Sequence, residues 1–365
     1  MDIELFSFFS GLGILDLGFE NAGFKIEFVD EYNDRFLSAY QYARNAHPHD
    51  PKYGYCNEDI RCFLNDEFWN KKFPDYGKNR KRLVGFIGGP PCPDFSVAGK
   101  NAGEAGVYGQ LTLVYANLII KRKPDFFVLE NVKGLIQTRK HKEFYERIKK
   151  DLGSAGYELY DSVENALEYG APQYRDRLIL IGLKRSRIKS YNNFKIGAHK
   201  KYSLEEIVKV DWPTTDPFMN MGDLPEPDGI IRELTVQYWF EKNDINHHPN
   251  SGDVFAVKNF DKFMTIPEGD THGKSFKRLH RWRYSPTAAY GNNEVHLHPY
   301  LPRRISVAEA MAIQSLPSDF ILPADIPLSS KFKMVGNAVP YVLALGIAKD
   351  LRDWLRTQID SGEIV

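Results

Sequence analysis

Across 365 residues the chain carries only three cysteines, Cys56, Cys62 and Cys92, an odd number without metal-ligand spacing. That excludes a disulfide framework and a cysteine-built metal centre, and sets the expectation of a reducing cytoplasm and no metal. Long apolar runs are missing too. Met1-Asp2-Ile3-Glu4 leads directly into an apolar stretch without a basic leader, so neither membrane insertion nor secretion is expected. Net charge is absent, because 48 Lys and Arg offset 48 Asp and Glu. Bulk charge therefore points to no polyanionic partner. Finally, the dinucleotide fingerprint Gly-x-Gly-x-x-Gly does not occur where it belongs: in Gly11-Leu12-Gly13-Ile14-Leu15-Asp16, Asp16 stands in the third glycine's place. This disfavours a nucleotide-dependent oxidoreductase.

What the chain does contain is a regular alternation in its first half. Strand patterns at Ile3 to Phe9, Lys25 to Val29, Leu83 to Ile87, Asp125 to Glu130 and Arg177 to Leu183 alternate with helical ones. The helical patterns fall at Ile14 to Ala22, Asp34 to Asn45, Gln110 to Arg122 and Lys142 to Ala155. This is the signature of an α/β domain, a mostly parallel sheet between helices. From Arg185 to Pro302 the periodicity fades while Pro, Gly and aromatics rise, as in a loop-rich second domain. A capping box at Ser306 to Glu309 then opens a helix to about Ser315, and Ala338 to Trp354 reads as a last amphipathic helix. The expected division is 1–186 plus 331–365 for the α/β domain and 187–330 for the smaller one. Charge, balanced overall, is clustered locally: Lys184 to Leu204 holds seven Lys or Arg and no acid, and Thr271 to Tyr284 holds five and none. Both runs are candidates for contact with phosphates.

Five constellations carry chemistry. Phe9-Ser10-Gly11-Leu12-Gly13 follows the first strand and opens a helix, a place where backbone donors meet a polar ligand. Asp30-Glu31-Tyr32 ends the second strand with a carboxylate that suits ribose hydroxyls and a ring that suits adenine. Gly88-Gly89-Pro90-Pro91-Cys92-Pro93 presents one thiol between prolines that fix its orientation. Glu130-Asn131 ends the apolar strand Phe126 to Leu129, where desolvation raises a carboxyl pKa toward neutrality. Gln173-Tyr174-Arg175-Asp176-Arg177 adds two guanidiniums at alternate positions, both placed to face a polar ring or phosphate.

In this order and over nearly the whole chain, these motifs resemble the DNA (cytosine-5) methyltransferases. The resemblance implies a Rossmann-like S-adenosylmethionine-dependent methyltransferase domain with a smaller irregular target-recognition domain. It places S-adenosylmethionine, and the product S-adenosylhomocysteine, against Phe9, Ser10, Gly11, Leu12, Gly13, Glu31, Tyr32, Asp59, Ile60, Pro91, Asn337 and Ala338. Cys92 is then the nucleophile, Glu130 the catalytic acid, and Arg175 and Arg177 their partners. Ser96, Thr287, Arg304, Lys274 and Arg278 are the implied DNA contacts. Arg303 to Glu309 with Gln314-Ser315-Leu316-Pro317 is similar to the family's ninth motif, and Lys333 to Pro340 to its tenth. Pro93 stands where the family usually has Gln.

The implied reaction is addition of the Cys92 thiolate to carbon 6 of a flipped-out cytosine in a short double-stranded DNA sequence, then methyl transfer to carbon 5. A chain starting at its first motif and ending just past its last suggests a monomeric modification enzyme, with a cognate restriction endonuclease acting separately. An RNA cytosine methyltransferase of the same fold is the nearest alternative, yet the Cys-Phe-Thr signature of that subfamily is absent. A non-catalytic DNA-binding homologue is the other, disfavoured by intact Cys92, Glu130, Arg175 and Arg177.

Overall fold

The computed structural model describes residues 3–44, 50–78, 82–91, 107–189, 191, 193–257, 260–273, 276–288, 290 and 295–364. Seven strands form one sheet: β1 (Ile3–Phe8), β2 (Lys25–Asp30), β3 (Tyr55–Cys56), β4 (Leu83–Gly88), β5 (Phe126–Val132), β6 (Tyr157–Asn165) and β7 (Asp176–Lys184). Their spatial order is β3-β2-β1-β4-β5-β7-β6. Neighbours from β3 to β5 are parallel, whereas β7 runs antiparallel to both β5 and β6. The sheet is thus mixed and mostly parallel. Its helices are α1 (Ile14–Asn21), α2 (Asp34–Ala43), α3 (Asp66–Lys72), α4 (Val107–Arg122) and α5 (Arg139–Ser154), with α11 (Tyr341–Asp360) closing the chain.

Helices lie on both faces because the central strands are apolar on both. In β1, Ile3 and Leu5 join one buried cluster with Phe19 and the α11 residues Leu343, Ile347 and Leu351. Phe6 and Phe8, one step out of phase, join a second with Trp69, Ile119 and Ile148. Between the layers, α1 comes so near α11 that a Cβ on Gly18 would lie 2.7 Å from Ala344 Cβ.

The rest is less regular, with short helices α6 (Leu204–Lys209), α7 (Val236–Lys242), α8 (Phe260–Thr265), α9 (Val307–Ile313) and α10 (Leu328–Asn337). Val236, Trp239, Ile313 and Val335 share a third buried cluster with Leu12, Ile14 and Leu17, so this core is continuous with the loop after β1. Phe194, Gly197 and His199 behave differently from the loop-rich segment with which their composition groups them. Phe194 packs edge-on to Trp354 at 5.3 Å, and Asp350 of α11 accepts the Gly197 and His199 backbone N–H groups at 2.6 and 2.9 Å. They stay on the sheet.

Candidate active site

One edge of the sheet gathers the chemistry. Register sets Phe8 beside both Asp30 and Gly88, and Gly88 beside Leu129, so the loops after β1, β2, β4 and β5 leave the sheet side by side. Arg177 pairs with Val132, which brings the start of antiparallel β7 to the same edge. Crevices beyond the carboxyl ends of strands are where open α/β sheets hold ligands.

The loop after β1 bends through φ values of 54°, 55° and 76° at Phe9, Gly11 and Gly13. Gly13 also has no room for a side chain, since a Cβ would lie 2.3 Å from Tyr40 Cε2. Ser10 pins the loop by donating both its N–H and its hydroxyl to the Asp30 carbonyl at 3.1 Å. Beneath it Asp16 is fully buried and accepts the Ser7 and Tyr40 hydroxyls at 2.8 and 3.0 Å. Desolvation lifts its carboxyl pKa to about 6. In the sequence Asp16 registered only as a missing glycine; its role as the floor of this loop depends on Tyr40, 24 positions away.

Glu31 spans the next gap. One carboxylate oxygen accepts the Gly11 N–H at 2.8 Å and the other the Asn33 N–H at 2.9 Å, which leaves lone pairs on each for further donors. Burial raises its pKa. Tyr32 beside it is 71% exposed and offers a bare ring face. Behind them Asp30 is buried, with Oδ1 unpartnered among the described residues. Its pKa is pushed up to about 8, first by desolvation and then by the Glu31 charge. Asp59 adjoins the same group of carboxylates and caps the 3-10 turn Ile60–Leu64 through the Arg61 N–H. Ile60 is buried in that turn. Ala338, just past α10, packs on the cluster that contains Leu12, while neighbouring Asn337 is exposed. Sites separated by more than 300 residues therefore meet.

Farther along the edge Glu130 is 8% exposed, and its Oε1 lies 2.8 Å from Arg177 Nε. Desolvation raises its pKa against the opposing pull of Arg177 and Arg175. Gly89 faces the other oxygen: a Cβ there would stand 2.6 Å from Oε2. The described part of that loop ends at Pro91. Cys92, Ser96 and Lys274 lie outside the described residues.

At the same sheet edge, then, stand a buried, arginine-paired carboxyl against Gly89 and a second carboxylate beside an exposed ring. The family model for C-5 cytosine-specific DNA methylases matches residues 3–353. The chain belongs to that family. Type II methyltransferase M.NmeDI of Neisseria meningitidis serogroup C is 50% identical over 362 residues, covering 98% of this chain and 85% of that one. Type II methyltransferase M.MthTI of Methanothermobacter thermautotrophicus is 29% identical, covering 96% and 98%. Among solved structures, a prophage-encoded protein of E. coli shares the fold with TM-score 0.63 at 23% identity, over 97% of this chain and all of that one. The S. pombe Dnmt2 methyltransferase shares it with TM-score 0.56 at 12% identity, over the whole of both chains.

Within the methylase, two of the arginines do other work than their sequence suggested. Arg175 immediately precedes β7, and its two terminal nitrogens are held by buried acceptors. Nη1 donates to Ala288 O at 2.6 Å and Gln173 Oε1 at 3.2 Å, and Nη2 to Gly336 O at 2.6 Å. It does not bond to Glu130. Arg278, expected on DNA, is fully buried beneath the Phe218 ring and donates to the carbonyls of Phe263, Ile266, His298 and Leu301. With four of its five N–H groups on carbonyls and no exposed surface, this guanidinium does not reach a phosphate. Arg304 is half-buried, donating to Val295 O at 3.2 Å. Thr287 is exposed, and its hydroxyl donates to Tyr174 O at 2.7 Å.

The basic run from Lys184 is corrected as well. Lys184 ends β7, beside Tyr157, at the opposite edge of the sheet from Glu130. Arg185 pairs with Glu158, Arg187 with Asp125, and Lys200 with Glu164 and Glu168. The run looks unopposed in sequence because its acids lie outside it.

Proposed function

We propose that the methylase transfers a methyl group from S-adenosylmethionine to carbon 5 of a flipped-out cytosine in a specific double-stranded DNA sequence, and serves as the modification half of a restriction-modification pair in the bacterial cytoplasm. The observation that carries this reading is the buried Glu130–Arg177 pair at 2.8 Å, set against Gly89 at the head of the loop to Cys92.

The cofactor's adenosine fits the residues present: Glu31 keeps lone pairs for ribose hydroxyls, Tyr32 offers its exposed face to the adenine, and the unpartnered Asp30 oxygen adds a polar wall. Bound there, the cofactor supplies an electrophilic methyl group. Carbon 5 of cytosine is too weak a nucleophile to take it unaided. Cys92, as thiolate, adds to carbon 6 and pushes electrons into the ring. Glu130, its pKa raised by burial, delivers a proton to ring nitrogen 3 and so stabilises the resulting enamine. Arg177 fixes one carboxyl oxygen of Glu130 and leaves the other turned toward Gly89 and the nucleophile loop. After carbon 5 is alkylated, its proton departs and the thiolate is eliminated, which restores Cys92. Because stacking covers the ring in a duplex, the base must leave the helix first. Thr287 supports the displaced nucleotide's backbone, and residues that read the sequence lie between about Ser203 and Arg283.

Bisulfite sequencing of DNA from cells expressing the methylase tests this directly. One short motif should carry fixed methylated cytosines, and the Cys92→Ser variant should bind that motif without methylating it. Unmethylated DNA, or full activity in Cys92→Ser, overturns the reading.

A further inference from the structure

We propose that Arg175 is a positioning residue that links cofactor binding to DNA binding, because one guanidinium holds the segment of each. The inference rests on the reading above, in which Asn337 and Ala338 border the cofactor and Thr287 borders the DNA. Arg175 Nη2 donates to Gly336 O, one residue before Asn337, and Nη1 to Ala288 O, one residue after Thr287, both at 2.6 Å.

Gln173 reinforces the link along a second thread. Its Oε1 accepts from Arg175 Nη1 and from the Ala288 N–H, while its Nε2 donates at 3.3 Å to Ile313 O and Gln314 Oε1. Gln314 Nε2 in turn donates to Val335 O at 2.6 Å, again one step from Gly336. Both threads thus run from the 287–288 segment to the end of α10.

What makes the link obligatory is the cost of breaking it. Arg175 is 2% exposed, its Nε is unpartnered among the described residues, and Arg177 is a second cation close enough to repel it. A buried guanidinium in that position is tolerated only while its carbonyl acceptors converge on it. If either Ala288 or Gly336 moves away, a buried charge loses an acceptor, so the segments hold their places together. A ligand that orders one of them therefore lowers the ordering cost met by the ligand of the other.

The test measures affinity for a duplex carrying the motif found by bisulfite sequencing, with and without saturating S-adenosylhomocysteine. In the wild-type methylase the product should tighten DNA binding about fivefold or more. Arg175→Lys keeps the positive charge and most of the volume but, as a point donor, cannot hold two carbonyls in one plane. There the tightening should fall to within about twofold of none, while each ligand still binds singly. Should Arg175→Lys fail to show a cooperative melting transition, Gln173→Ala tests the same link, since it cuts the second thread and removes one of the two acceptors that orient Nη1. Undiminished tightening in the folded variants, or none in the wild type, overturns the link alone. Loss of methylation and of S-adenosylhomocysteine binding in the wild type would instead remove the functional reading beneath it.

Discussion

At the scale of single residues, the site works by denying space and solvent to carboxylates. Gly89 illustrates the first. Its φ is one that any residue adopts, so Gly89→Ala introduces no backbone strain; among the described residues its Cβ meets Glu130 alone, 2.6 Å from Oε2. Because Arg177 holds Oε1, the carboxyl can yield only by leaving that partner. Displacements near 1 Å at reacting groups cost about 100-fold in rate. Gly89→Ala should therefore lower kcat by about that factor with little change in KM or melting temperature. In a Glu130→Gln background the same substitution should add almost nothing, and steady-state methylation kinetics read both. Asp30 illustrates the second. Folding raises its pKa from 3.8 to about 8, so between those values the folded state keeps a proton that the unfolded chain has released. Stability is then greatest below this window and declines as pH rises through it. Asp30→Asn removes the titration: its melting temperature should exceed wild type near pH 9 and converge with it toward pH 4. Parallel melting curves across the window would refute the assignment. Neither effect was visible in sequence. Motif order located Glu130 and Asp30, but the contact with Gly89 and the lack of a partner at Oδ1 exist only once strands align.

Among the elements, those with a strong local pattern were legible and those shaped by neighbours were not. Strands β1, β2, β4, β5 and β7 fall within a residue or two of their apolar runs, and α1, α2, α4 and α5 within a few residues of their helical ones. Strand β6, Tyr157–Asn165, escaped because it sits at the sheet's edge with only three of nine residues buried, so no apolar run marks it. Helix α3 is seven residues long and contributes a single buried residue, Trp69. The final helix begins after Pro340 instead of at Ala338, since α10 occupies Leu328–Asn337 and Pro340 serves as the cap between them. Packing of α1 on α11 yields a prediction at this scale. Gly18 lies inside α1, where Ala would gain about 1 kcal/mol of helix propensity. Opposing that, a Cβ would lie 2.7 Å from both Ala344 Cβ and the Leu345 backbone nitrogen. Overpacking of such a contact costs about 1–3 kcal/mol, and the backbone atom cannot rotate away. On balance Gly18→Ala should destabilise the methylase by up to about 2 kcal/mol in urea unfolding. Adding Ala344→Gly should restore only part of that, because the Leu345 nitrogen remains.

For the whole molecule the question is which of its charges meet DNA. With 48 charges of each sign the chain has no net attraction to offer, so affinity must come from local cations that are free of internal partners. Counting along the sequence nominated the run from Lys184, yet its arginines are matched by Asp125 and Glu158 across the fold, and the run starts at the edge of the sheet away from Glu130. Each phosphate contact that a lysine or arginine makes contributes about −0.9 to the slope of log affinity against log salt concentration. If Lys184 and Arg185 touched phosphates, replacing both with Ala would flatten that slope by nearly two contacts' worth. The double variant should instead keep the wild-type slope and affinity. Any loss belongs to stability, where exposed ion pairs such as Arg185–Glu158 contribute about 0–1 kcal/mol. A slope reduced by about one or more would return this edge of the sheet to the DNA-binding surface and require the duplex to wrap far beyond the site of methyl transfer.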